Sequence, residues 1–532
     1  MKRILVVQLC RIGDILMTGP LLRGLRREHP QCEISLMVMD SFARAPLPPH
    51  LYDHLLAFPL GELAGQLSKR DQGWEPAAQR LQAFVAQCSA APFDLVINLT
   101  HTDMSALLVS LVPAQKRAGL VARTDRRKGI DSAWMTYMRA STRSRELGCF
   151  HLVDLFSWTA GVGRDVAGLE MAISDADHEW AERYLATNGL RGRPLIAMQL
   201  GASTVAKQWP VDRFAALANA LPGHLGEIVV IGGPGERDLA RAFVAAATRP
   251  VYDSTGESSL GELGALLQRC RLLVTNDTGP MHIAAAVGTR VLDMSSGPVS
   301  PYETGPYGEG HLVVEPDLPC SPCALDTECQ HFACRTALSI DDAAAVTQFA
   351  LGDGDAPTIT GARLLTTRRS VGSGRLEYVP VNESLRLRDR VRFAAADVWE
   401  QTLAAPRRVG AAWPTTNTAD VRGDVDVTAL DAIRTQLRNV ARDADAAASE
   451  LRHLPKAPPA KVPTLAGVIH ARLERLLAVA ETERAAHAIV AQLRHEIDSV
   501  PARDLAGMAR AQGVAYAAAS QRARLLAEKL AG

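Results

Sequence analysis

Short apolar runs alternate with helical stretches from residue 3 to about residue 120, the sign of a parallel sheet whose strands are joined by crossover helices. ILVVQL, EISLMVM and DLVINL predict strands, and after the first of them Thr18-Gly19-Pro20 opens a helix through LLRGLRRE. Pro20 suits a first-turn position, where its missing N–H is not needed. A second series begins near residue 194 with PLIAMQL, EIVVIGG, RLLVTND and RVLDMS, spaced by helices such as VDRFAALANAL and SLGELGALLQRC. Together the two series predict an α/β architecture of two doubly wound, Rossmann-like lobes around a cleft. Ligands of open α/β sheets gather outside the carboxyl ends of the strands, so the loops there are where chemistry is sought.

The pattern changes beyond residue 350. The expected division is 1–175 for the first lobe with its linker, including the basic TDRRKG, and 176–350 for the second lobe with a cysteine-rich loop. Residues 351–424 form a connecting stretch in which one helix is predicted, around RVRFAAADVWEQTL, and 425–532 a mainly α-helical tail. In that tail Ile433, Leu437, Val440, Ala444, Ala447, Leu451 and Leu454 step by four and three, a heptad seam that ends at Pro455 and KAPPAKVP. Further helices are expected from about residue 465 to 500 and from about 502 onward. The tail reads either as an oligomerisation or docking module, giving a homo-oligomer, or as a helical cap on the lobes.

Charge narrows the partners. The 58 Lys and Arg balance the 58 Asp and Glu, so nothing calls for nucleic acid, and any phosphate must be bound locally. MKRILVVQL has basic residues before a short apolar stretch, but CRIGD follows at once, which favours a buried first strand over a secretory signal. No run of about 18 apolar residues is present, so a membrane span is not expected. The expected location is the cytoplasm, with peripheral contact at the inner face of the inner membrane left open. Five of the nine cysteines are scattered singly and read as core thiols.

Three loops carry candidate chemistry. Arg11-Ile12-Gly13-Asp14 follows the first strand: Gly13 allows close backbone approach, and Asp14 is either a general base for a hydroxyl or a helix-capping acid. Asn276-Asp277-Thr278-Gly279-Pro280-Met281-His282 follows RLLVT and enters a helix, whose unpaired N–H groups and partial positive charge suit a phosphate; His282 is a further donor or simply a packed residue. Gly201-Ala202-Ser203-Thr204 with Lys207 and Trp209-Pro210 offers hydroxyls and one ammonium to bracket a diphosphate, unless Lys207 is an ordinary surface lysine. Gly232-Gly233-Pro234-Gly235-Glu236 fits neither dinucleotide nor P-loop spacing, which removes support for NAD-linked or kinase chemistry; Glu236 is left as a ribose-hydroxyl acceptor or a cap.

GDILMTGPLLRGLRREHP, the K-x-WP element, TGESSLGELGALL, NDTGPMHIAAAVG and GPVSPYETGPYG before the cysteine-rich loop resemble, in order over about residues 1–345, glycosyltransferase family 9, the ADP-heptose:lipopolysaccharide heptosyltransferases. The resemblance implies a GT-B fold, inverting transfer from a nucleotide diphosphate sugar, ADP-heptose, to a lipopolysaccharide core or related envelope glycan, and no cofactor for the chemistry. By motif position it implies Asp14 as catalytic base and Lys207 as the lysine on the donor phosphate. Asp277, Thr278, Gly279 and His282 form the implied donor element, with Glu236 a loose match to a ribose-binding acid; the Ser203 and Thr204 hydroxyls are donor-binding candidates from the loop itself. The tail past residue 350 has no counterpart in the family pattern, so transfer to an adhesin or flagellar protein, or a non-catalytic scaffold in a glycosyltransferase shell, stand as alternatives.

Cys320, Cys323, Cys329 and Cys334 supply four thiols over fifteen residues, enough in number for a structural zinc or iron site, with His331 nearby. The C-x-x-C step is a metal-site signal, whereas the second spacing is not that of a standard zinc finger. A reduced thiol cluster and disulfides are the alternatives.

Overall fold

The computed structural model describes residues 2–69, 73–122, 128–130, 132–141, 145, 148–324, 327–403, 427–498 and 505–531. It separates into two compact units: residues up to 131 with 151–369 and 374–382, and residues 132–150 with 370–373 and 383–532. TDRRKG lies, up to Arg127, outside the described residues.

The first lobe runs β1 (Arg3–Val7), α1 (Ile12–Glu28), β2 (Glu33–Met39), β3 (His54–Phe58), α2 (Leu60–Leu67), α3 (Trp74–Cys88), β4 (Phe93–Asn98), α4 (Asp103–Leu111), β5 (Ala114–Ala122) and β6 (Lys128–Ile130). Its sheet has the order β3-β2-β1-β4-β5-β6, parallel except for β6. Ile4, Leu5, Val6 and Val7 of β1 are wholly buried, which is why the strand reads as a continuous apolar run. Each such side chain contributes about 1.5–3 kcal/mol by leaving water. α5 (Ala133–Ser141) belongs to the second unit, and α6 (Leu152–Thr159) and α7 (Asp175–Thr187) bring the chain to the second lobe.

That lobe comprises β7 (Leu195–Gln199), α8 (Val211–Ala220), β8 (Glu227–Ile231), α9 (Arg237–Ala246), β9 (Val251–Asp253), α10 (Leu260–Leu267), β10 (Leu272–Thr275), α11 (Gly279–Ala286), β11 (Val291–Met294), α12 (Pro301–Thr304), β12 (Leu312–Pro316), α13 (Ile340–Ala350), β13 (Ala362–Arg369) and β14 (Leu376–Pro380). Strand order is β14-β13-β12-β11-β10-β7-β8-β9, with β13 and β14 added antiparallel. Residues 362–380, expected to lie in the connecting stretch, therefore finish the second lobe's sheet.

Helix α1 departs from its expected start. It begins at Ile12, and Thr18-Gly19-Pro20 lies inside it. A proline there removes the bond its N–H would make to the carbonyl of residue 16. The helix survives because its first three turns are embedded in the core, with Ile15, Leu16, Met17, Leu21, Leu22 and Leu25 at 2% exposure or less. Thr18 Oγ1 also donates to the Asp14 carbonyl at 2.8 Å. As a result Asp14 sits in the first turn of a helix rather than in a loop ahead of one.

The second unit is helical: α14 (Leu387–Leu403), α15 (Val427–His453), α16 (Val462–Thr482), α17 (Arg484–Asp498) and α18 (Leu505–Lys529) accompany α5. The heptad seam from Leu437 to Leu454 is buried and packs on α18 of the same chain, so the face that pointed to oligomerisation is already occupied. The helix expected over 465–500 is broken at Glu483 into α16 and α17. The α5 segment, expected in the linker, packs here: Tyr137 meets Trp399 edge-on at 5.0 Å, and the Arg522 guanidinium covers the other partner's ring at 4.9 Å.

Candidate active site

Helices α1 and α11 approach one another by their N-termini, and glycine makes the approach feasible from both sides. A Cβ on Gly13 would overlap the His282 ring, and one on Gly279 would lie 2.6 Å from Ile12 Cγ2. Contact at these two positions brings Asp14 of the first lobe into the electrostatic field of Asp277 in the second. The Asp14 carboxyl is raised above its ordinary value first by burial and further by Asp277, against the lowering effect of the Arg11 amide, which donates to Oδ2 at 3.1 Å.

Thr278 is the N-cap residue of α11, yet its side chain does not cap the helix. Its hydroxyl instead donates to Gln199 Oε1 at 3.1 Å and the Asn276 carbonyl at 3.2 Å. An uncapped helix start keeps N–H donors and its partial positive charge available to an anion. Lys207, at the end of a short turn after β7, places Nζ 2.9 Å from Asp277 Oδ2. His282 is buried and pushed down to about 4, first by burial and also by Lys207, with Asp277 opposing; its Nδ1 has no hydrogen-bond partner among the described residues. At neutral pH the ring is therefore uncharged.

The structure thus gathers Asp14, Lys207, Asp277, Thr278, Gly279 and His282. Ser203 and Thr204 stand exposed on the loop leading to Lys207. Glu236 ends a short turn after β8, where Oε1 accepts from Gln199 Nε2 at 2.9 Å and Oε2 from the Gly233 amide at 2.7 Å; burial raises its carboxyl, opposed by those bonds. It sits over Gly201, where a Cβ would collide with its carboxylate.

Two side chains with no role assigned from the sequence hold this arrangement. Asn276, fully buried, accepts from the Trp209 amide at 2.8 Å and donates to the carbonyls of Leu200 at 3.1 Å and Gly201 at 3.0 Å, stapling the Lys207 loop to the NDTG turn. Gln199 links Glu236 to Thr275 and Thr278. Gln199 ends β7 and Asn276 directly follows β10, and that place at a strand's carboxyl end is the one signal that marked them.

The cysteine-rich loop buttresses the same turn. Arg335 Nε donates to the Gln208 carbonyl at 2.5 Å and the Cys323 amide to the Gly297 carbonyl at 3.3 Å. No disulfide joins the cysteines. Burial first, then the neighbouring thiols, raises Cys323 and Cys334. Among the described residues no group of three or more His, Cys, Asp or Glu is arranged to hold a metal ion.

Residues 82–331 match the model of glycosyltransferase family 9 (heptosyltransferase). That span is similar to the family 9 glycosyltransferases. It is 27% identical over 289 residues to lipopolysaccharide heptosyltransferase 3 of Escherichia coli strain K12, covering 53% of this chain and 79% of that protein. Over 340 residues it is 26% identical to lipopolysaccharide heptosyltransferase 1 of Pseudomonas aeruginosa, covering 61% and 87%. A solved family 9 glycosyltransferase from Veillonella parvula superposes with a TM-score of 0.52 at 21% identity, covering 66% of this chain and 98% of that one. The fold is GT-B, two Rossmann-like lobes with a helical extension, and the chain is a glycosyltransferase. The NDTG turn, Lys207, Glu236, Cys320, Cys323 and Cys329 fall inside the matched span; Asp14 precedes it and Cys334 follows it.

Proposed function

We propose that the chain moves a heptose from ADP-heptose to a lipopolysaccharide core or related cell-envelope acceptor, inverting the anomeric centre. Asp14 takes the proton of the acceptor hydroxyl, whose oxygen forms a bond to the anomeric carbon as the carbon–oxygen bond to phosphate breaks and its electron pair leaves with ADP. Lys207 exchanges Asp277 for the departing diphosphate, which the open start of α11 also receives through Thr278 and Gly279. Ser203 and Thr204 offer hydroxyls to the same phosphates, Glu236 binds the ribose, and neutral His282 donates without adding charge. No step passes through a metal or cofactor.

The observation that carries this reading is the meeting of α1 and α11 at Gly13 and Gly279, with a half-buried carboxyl on one side and the Lys207–Asp277 pair on the other. The printed names of the relatives supply the heptose and lipopolysaccharide. Such an acceptor places the enzyme in the cytoplasm at the inner face of the inner membrane; among the described residues no helix is long and apolar enough to cross a membrane.

The test is a transfer assay with ADP-heptose, UDP-sugars and GDP-sugars against lipopolysaccharide core and protein acceptors, with the product anomer read by NMR. Turnover of ADP-heptose to the inverted glycan product is expected. Retention of configuration, or preference for a UDP- or GDP-sugar, overturns the reading. Transfer to an adhesin or flagellar protein alone would replace its acceptor half, and no turnover with any pair would leave a scaffold.

A further inference from the structure

Paired residues on neighbouring parallel strands point to the same face of the sheet. At the carboxyl edge of the second lobe, Gln199 of β7, Thr275 of β10 and Asp293 of β11 form such a row, with Thr275 in register with Asp293. Gln199 and Thr275 are engaged in the network above. Asp293 is wholly buried, and neither carboxyl oxygen has a hydrogen-bond partner among the described residues. A buried carboxylate with no donor is so costly that the group keeps its proton instead.

The charged and titratable groups around Asp293 are Asp277 and Lys207, from the loops after β10 and β7, and Tyr378 from β14, whose hydroxyl donates to the Pro306 carbonyl at 3.1 Å. Tyr302 and Tyr307 stand around Tyr378, and His282 beyond Asp277. Burial raises the Asp293 carboxyl well above its usual value, Asp277 raises it further, and Lys207 opposes them. Asp293 is thus a second acid behind the Lys207–Asp277 pair, absent from every role assigned so far.

We infer that Asp293 is a positioning residue that stays uncharged so that Lys207 can leave Asp277 for a diphosphate. Ionised, it would add a second buried carboxylate competing for the same ammonium and repelling phosphate. Donor affinity then falls as the pH rises through the ionisation of Asp293. Stability changes over a lower pH window: an acid whose folded value is raised holds the folded state most strongly below its unfolded value, and that advantage is lost as the pH climbs towards the folded one.

The inference rests on Lys207 meeting the donor phosphate, and the test separates the two. ADP binding to the full-length protein is measured by calorimetry from acid to alkaline pH for the parent, Asp293→Asn, Asp293→Leu and Lys207→Ala. The parent should lose about tenfold more affinity at the alkaline end than either Asp293 variant, one pKa unit of interaction. Infrared spectra of the parent should show the C=O stretch of a protonated carboxylic acid that disappears in Asp293→Asn. If the Asp293 variants follow the parent's pH profile while Lys207→Ala loses ADP, the inference falls and the donor site stands. If Lys207→Ala binds ADP like the parent, the donor reading falls and takes the inference with it. Should neither Asp293 variant fold, the parent's infrared spectrum decides: absence of the protonated-acid band overturns the proposal.

Discussion

Two strand-to-helix junctions face each other in the first unit, and they finish their helices in opposite ways. At α1 the chain closes the helix start with its own acid, Asp14 Oδ2 accepting the Arg11 amide. At α11 Thr278 turns its hydroxyl toward Gln199 and the Asn276 carbonyl and leaves the start open. A capping carboxylate and a bound anion compete for the same N–H groups, so one junction keeps a base and the other receives phosphate. The same backbone device is specialised by where a single side chain spends its hydrogen bond.

The comparison breaks severely at the open junction. Lys207→Ala should lower transfer about 10²–10³-fold, as loss of one charge-stabilising donor does elsewhere, with the loss appearing in ADP affinity as well as turnover. Gly13→Ala forces a Cβ against the His282 ring; overpacking of this kind costs about 1–3 kcal/mol, and transfer should slow about tenfold or more while each lobe keeps its circular dichroism. Asn276→Ala strips three buried backbone groups of their partner and should cost about 2–3 kcal/mol in denaturant unfolding.

The pH profile sharpens the closed junction. A base must be ionised to work, and burial raises Asp14, so the acid limb of the rate should lie above the ordinary carboxylate range of about 4 and activity should climb as pH rises through it. His282, protonating at about 4, should contribute no step near neutrality. The smallest effect is expected from chelators: with no three-donor group among the described residues, transfer under reducing conditions should stay within about twofold.

Much of the fold was legible because parallel strands buried on both faces leave continuous apolar runs, as in RILVV and LLVT. Strand β3 was missed because HLLAF is an edge strand, mostly exposed, and β9 because it is three residues long. Pro20 misdirected the start of α1, since a first-turn preference says nothing when tertiary packing holds a proline inside a helix. The break at Glu483 carries no glycine or proline to announce it. In the site, the loop residues were legible from the strand-and-helix setting. Asn276 and Gln199 were not, because their work is to cross-link loops distant in sequence, and Asp293 was not, because its significance lies in the partners it lacks.

In the proposed chemistry a proton acceptor and a phosphate cradle serve one sugar. Its most direct test is Asp14→Asn, which keeps the shape and removes the base. ADP binding should stay within about twofold while single-turnover transfer falls about 10²–10⁴-fold, the usual weight of a general base. Undiminished transfer by that variant, with normal ADP binding, would contradict it.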